Sequence, residues 1–157
     1  MPIEVIPPTL ISWKLAKHDI DRKNLERWFT QRWDNEAQFQ VRLVPVLYAV
    51  SDPSFILNFD IGGSRSRIFG AHHKAMGHQA GWPDLFCGWA GRMPNFGFME
   101  LKASKGYPET KQKAMASRLR GLGWNHAYIR TMAEAIAALA AWGCPIREEY
   151  KPLAELG

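Results

Sequence analysis

The sequence is short of cysteine, of long apolar runs and of low-complexity stretches, and each shortage removes a class of protein. Two cysteines in 157 residues, Cys87 and Cys144, cannot make a disulfide framework. That sets aside the small secreted scaffolds and fits a reducing cytoplasm, with both thiols as packing residues. No uninterrupted apolar run approaches the roughly 18 residues that a membrane-spanning helix needs. The opening Met1-Pro2-Ile3-Glu4 lacks the basic-then-apolar layout of a secretory signal. No repeat, linker or biased tract divides the chain, so it is most simply one domain, large enough to bury about two thirds of its unfolded surface. His72, His73 and His78 invite a zinc reading with Cys87, but their spacing matches no paired Cys/His ligand pattern, and zinc is set aside.

What the chain does have is apolar residues in quantity, 46% hydrophobic with seven Trp, and a net charge of +5. The first supports a solid core. The second, with a pI near 9.4, permits binding to a polyanion. The distribution of base says more than its sum. Arg65, Arg67 and Lys74 precede the segment 81–102, and Lys105, Lys111, Lys113, Arg118 and Arg120 follow it. Taken together they suit a phosphate-contacting surface; each alone reads equally well as part of a solvated helix face.

The segment itself holds two apolar, aromatic runs, Gly81 to Ala90 and Phe96 to Lys102, separated by Gly91-Arg92-Met93-Pro94-Asn95. They read as a β-hairpin. Each carries an acid where a buried strand prefers none, Asp84 at the opening of the first and Glu100 near the end of the second. Buried carboxylates are costly unless paired, hydrogen-bonded or on a metal. Side chains alternate along a strand, so Glu100 and Lys102 share a face, with the Leu101 carbonyl between them. Two carboxylates and a carbonyl are hard oxygen donors that suit Mg2+ or Mn2+. A metal-bound water has a lowered pKa, and the ion neutralises charge on a scissile phosphate. Lys102 is placed to position the water or stabilise that charge.

Pro83-Asp84 followed by Glu100-Leu101-Lys102 resembles the Pro-Asp…(Asp/Glu)-x-Lys nuclease signature. The wider order is similar to one branch, the virus-type replication-repair nuclease (VRR-NUC) domain: Glu36 and Gln40, then Gly81-Trp82-Pro83-Asp84, then Phe98 to Lys102, then Gln112 in a helix. The resemblance spans roughly 35–143. Glu-x-Lys alone says little, since at roughly 6% usage of each residue it arises by chance about once in every two or three chains of this length. This chain has three, at Glu100, Glu109 and Glu149, and only Glu100 ends a hydrophobic run.

The resemblance implies an α/β fold, a single restriction-endonuclease-like domain with a mixed central sheet flanked by helices. It implies a Mg2+- or Mn2+-dependent DNA endonuclease acting on four-way junctions or other branched DNA as a homodimer. It implies metal ligands Asp84, Glu100, the Leu101 carbonyl and Glu36, and catalytic roles for these acids with Lys102 and Gln112. Arg65, Arg67, Lys74, Lys105 and Lys111 would contact nucleic acid. Rival readings are a non-catalytic basic DNA-binding module, or a nuclease acting on RNA or on a specific duplex site.

The remaining elements follow from local signals. Residues 1–33 form an accessory arm and helix: extended to about Ile11, then helical from Asp19 to Trp33, serving as a lid or dimer element. Its aromatics, interleaved with Lys23, Arg27 and Arg32, either pack or lie on nucleic acid. The nuclease-like core, 34–145, starts with a helix capped by Asp34 or Asn35 and kinked or divided at Pro45. Glu36 is there an ordinary first-turn acid unless the resemblance gives it the metal. A strand at Phe55 to Ile61 feeds the loop Gly62 to Arg67, where Asp60 and Gly62 are the nearest matches to an Asn-Gly pair of the family. A helix from Glu109 to Arg120 buries Ala114, Met115 and Leu119, a strand runs from Trp124 to Arg130, and Thr131 to Glu134 is a capping box for an alanine-rich helix ended by Gly143. Residues 146–157 form a polar, frayed tail.

Overall fold

Apolar runs rich in aromatic and β-branched residues supply four strands: β1 (Ile56–Phe59), β2 (Leu85–Gly88), β3 (Phe96–Leu101) and β4 (Asn125–Ile129). They form one sheet in the order β1-β2-β3-β4. The first three are antiparallel and β4 joins β3 in parallel, so the sheet is mixed, as expected. The structure is a computed structural model that describes residues 7–16, 19–60, 71–72 and 74–157. The helices are α1 (Pro8–Leu15), α2 (Asp19–Thr30), α3 (Glu36–Val50), α4 (Thr110–Gly121), α5 (Met132–Ala141) and α6 (Lys151–Ala154), with a 3-10 turn at Glu148–Tyr150. A parallel return needs a long crossover, and α4 is that crossover between β3 and β4.

Alternation gives the sheet two different faces. Leu85, Cys87, Met99, Leu101 and Ile129 point into the main core, against Phe39, Leu43, Val46 and Leu47 of α3 and Met132, Ile136 and Leu139 of α5. Each such side chain contributes about 1.5–3 kcal/mol by leaving water. Phe86 and Phe98 point the other way, with Phe96 and Trp82, onto Met115 and Leu119 of α4. Glu100 and Lys102 continue that second row, so both face the α4 side. Gly97 sits on the first face because a β-carbon there would lie 2.4 Å from the Trp142 ring.

Local chemistry explains the helix starts. Asn35 caps α3 by accepting from the Gln38 amide at 2.9 Å. Thr131 caps α5 through the Glu134 amide at 3.1 Å, while the Glu134 carboxylate accepts from the Arg130 and Thr131 amides at 2.7 and 3.3 Å. Both satisfy N–H groups that a helix leaves open at its first turn.

Three expectations fail, and of the kink or break expected at Pro45 the break does not occur. The N-terminal arm is helical from Pro8, since proline's fixed φ suits a first turn, and Leu10 and Trp13 anchor it in the core. Residues 1–6 lie outside the described residues. Pro45 does not divide α3. Leu43, Val46 and Leu47 on either side of it are buried in the main core. On α4 the third core residue is Ala116, while Ala114 is exposed. The tail is not frayed: Ile146 bridges to Ser51, and Tyr150 and Leu153 are buried in the main core. Two apolar side chains among charged ones are enough to dock it.

The aromatics of α2 pack. Phe29 is buried, with its ring edge-on to Trp13 at 6.2 Å and to Trp28 at 5.0 Å. Trp33 stacks on Phe39 at 6.1 Å with the rings 7° from parallel. The N-terminal segment therefore shares the core of the rest. Among the described residues no helix is long and apolar enough to cross a membrane.

Leu153→Ala tests the docked tail. It is expected to destabilise the protein by about 2–5 kcal/mol in urea unfolding, the usual cost of emptying a buried leucine site; a frayed tail would give no change.

Candidate active site

The site is built where β2 begins and β3 ends. Continuing the β2–β3 register by one residue sets Asp84 opposite Glu100, and by two sets Pro83 opposite Leu101. The Leu101 amide points toward β2, where the Asp84 carboxylate accepts it at 2.7 Å. In an extended strand a residue's N–H and C=O point to the same side, so the Leu101 carbonyl also faces Asp84. Pro83 stands where the ladder would offer that carbonyl an N–H, and proline has none. The Pro-Asp dipeptide thus withholds one hydrogen bond from β3 and supplies an acid beside it.

Glu100 is 2% exposed and Lys102 4%. The Lys102 Nζ lies 3.5 Å from Glu100 Oε1 and donates to Gln112 Oε1 at 2.8 Å. Gln112 Nε2 donates to Glu100 Oε1 at 2.6 Å, and Gln112 Oε1 also accepts from the Glu109 amide at 2.9 Å. One side chain therefore completes the first turn of α4 and fixes the relative positions of Glu100 and Lys102. Gly81 lets the preceding loop reach this turn. Its φ is +75°, and a β-carbon there would lie 2.4 Å from the Lys111 carbonyl oxygen, so both conformation and space demand glycine.

The carboxyl groups of Asp84 and Glu100 are near enough that each shifts the titration of the other. Burial pushes Glu100 up to about 8, Asp84's charge adds to the rise, and Lys102 opposes it. Burial also raises Asp84, while the Leu101 amide and the bond to Glu100 pull it back. Both shifts run the same way, so the site favours the protonated over the charged form of its acids. Glu36, in the first turn of α3, accepts the Ala103 amide at 3.3 Å, and its charge raises Asp84 further.

The structure thus brings together Asp84, Glu100, the Leu101 carbonyl, Lys102 and Gln112, with Glu36 at their edge. Lys105 and Lys111 flank them in the β3–α4 connection and first turn of α4, both exposed. Lys74 is exposed on the segment preceding Gly81, and no contact ties it to these acids. Arg65 and Arg67 lie outside the described residues, as do Gly62 and the rest of that loop. Cys87 and Cys144 are buried free thiols, and the His78 imidazole lies 3.8 Å from Asp60. Among the described residues no three His, Cys, Asp or Glu side chains converge as a metal cluster.

Sequence reasoning missed three supports: Gly81's approach to α4, Pro83 opposite the Leu101 carbonyl, and the Ser104 hydroxyl donating to Asp34 at 2.8 Å. The second was recoverable, because pairing the two runs face to face places 83 against 101. No family model matches this chain, and no curated protein or solved structure matches it either.

The raised Glu100 carboxyl gives a stability signature. Its folded pKa, about 8, lies above its ordinary 4.5, so the fold favours the protonated form. That contribution is whole below about 4.5 and is lost as pH rises through about 8. In EDTA, denaturant midpoints are expected to fall between pH 5 and 8, and Glu100→Gln should flatten the fall; equal slopes for the two proteins would refute the assignment.

Proposed function

We propose that the chain is a divalent-metal-dependent DNA endonuclease, hydrolysing phosphodiester bonds at the site formed by Asp84, Glu100 and Lys102. The observation that carries this reading is a buried carboxyl group, Glu100, beside the half-buried Asp84 at the ends of adjacent strands, with an ammonium alongside. As a purely structural feature the pair is costly, because two acids share one poorly solvated position. A hard cation between the two acids would relieve that cost. Mg2+ characteristically takes one or two carboxylates and keeps several waters, so a two-acid set with a free backbone carbonyl fits it without a third acid. This is the arrangement the virus-type replication-repair nuclease resemblance implies.

Bound there, the ion supplies a water of lowered pKa and neutralises charge on the phosphate. The protein's own groups do the rest. Asp84 and Glu100 would hold the ion with the Leu101 carbonyl, and Glu36 lends negative charge from the side. Lys102, its Nζ held by Gln112, would orient the attacking water and meet charge developing on the phosphate. Gln112 positions both Lys102 and Glu100. Lys105 and Lys111 are placed to take neighbouring phosphates. Branched DNA cut symmetrically needs two sites related by a two-fold axis, so homodimerisation belongs to the same proposal.

Incubating linear and branched DNA with Mg2+ or Mn2+ tests it. Wild type should cleave, and Lys102→Ala and Asp84→Ala should each cut the rate by about 100-fold or more, the scale of losing one charge-stabilising group. No cleavage by wild type, or full cleavage by both variants, would end the reading. Salt-dependent binding without metal dependence would favour a DNA-binding module instead.

A further inference from the structure

The connection from β3 to α4 closes one side of the site, and its backbone is tied down repeatedly. The Ser104 amide donates to the Trp33 carbonyl at 2.7 Å and the Ala103 amide to Glu36 at 3.3 Å. The Gly106 amide and Arg130 Nη1 donate to the Ala103 carbonyl at 3.0 and 2.9 Å. At the crest of this fixed loop the chain places a large ring in solvent. Tyr107 is 82% exposed, more than any other large hydrophobic side chain among the described residues.

Its exposure is organised. Pro108 confines the preceding residue to extended backbone, and the Arg130 guanidinium lies 5.8 Å from the Tyr107 ring centroid, within cation–π range. The neighbouring Gly106 is close to the site, since a β-carbon on it would lie 3.4 Å from Glu36 Oε1, and the Glu36 charge is felt at Asp84. A preorganised aromatic beside Lys105, Arg130 and Lys111 suits a flat, π-faced ligand that carries negative charge. Nucleobases in continuous duplex have both faces covered by their neighbours, whereas an unpaired base offers a free face to an aromatic side chain.

We infer that Tyr107 is a stacking platform for an unpaired nucleobase beside the phosphate that Lys102 meets, making DNA with an unpaired segment the preferred substrate class. The inference rests on the nuclease reading for the identity of that phosphate. Tyr107 would act as a specificity determinant, and the ring rather than the hydroxyl carries the effect.

Binding measured in EDTA keeps hydrolysis out of the test. Two labelled DNAs are compared by fluorescence anisotropy, a continuous duplex and the same duplex with a single-stranded arm carrying 2-aminopurine at the branch. Tyr107→Ala should weaken binding to the branched DNA by about 5- to 100-fold, the range for losing one base–aromatic stack, and should abolish the quenching of 2-aminopurine. Tyr107→Phe should behave as wild type on both readouts, and all three proteins should bind the continuous duplex alike. Equal losses on both DNAs, no loss on either, no quenching by wild type, or a Phe variant as weak as the Ala variant would overturn the inference. Failure of the nuclease reading looks different: stacking persists while no DNA is cut with Mg2+ or Mn2+.

Discussion

A buried carboxyl group and a half-buried one set side by side, Glu100 and Asp84, are the constraint around which this molecule is arranged. Asp84 and Glu100 meet because β2 and β3 are antiparallel in a register that sets the start of one beside the end of the other. Bringing like charges into a nearly dry position opposes folding. The compensation comes from the Leu101 amide, from Gln112 and from the Lys102 ammonium. Every other element either builds the two strands or delivers a group to them.

That delivery is divided between the faces of the sheet. The main core, with α3 and α5, fixes the position of β3 and leaves the first turn of α3 pointing Glu36 at the site. The smaller aromatic cluster, with α4, fixes the opposite face and sets Gln112 against Glu100 and Lys102. Gln112 does two things at once: it closes the open first turn of α4 and spans the acid and the lysine. The start of α4 and the geometry of the site are therefore one structural fact. Gly81 extends the same logic, since the loop leading to Asp84 reaches its place only by passing over the Lys111 carbonyl.

Much of this was legible in the sequence. The hairpin announced itself through aromatic runs bounded by Gly, Pro and Asn, α5 through its capping box, and α4 through Pro108 and Gly121-Leu122-Gly123. A near-continuous apolar run was the signal, as expected of a strand buried on both faces. The α1 helix and the folded tail were hidden because each is held by two or three long-range contacts, Leu10 and Trp13 for one and Tyr150 and Leu153 for the other, in segments whose local composition is polar or proline-rich. For the site, residue types and spacing identified the acids and the lysine. The convergence of Glu36 and Gln112 came only with the resemblance, because it depends on how two helices pack across the sheet.

The central claim is that Asp84, Glu100 and the Leu101 carbonyl form one cation site. Anomalous scattering from a crystal of the protein soaked in Mn2+ tests it most directly. The account predicts a manganese peak within coordination distance of both carboxylates and that carbonyl. Clear density for both acids with no peak between them at saturating Mn2+, or a peak bound elsewhere, would contradict it.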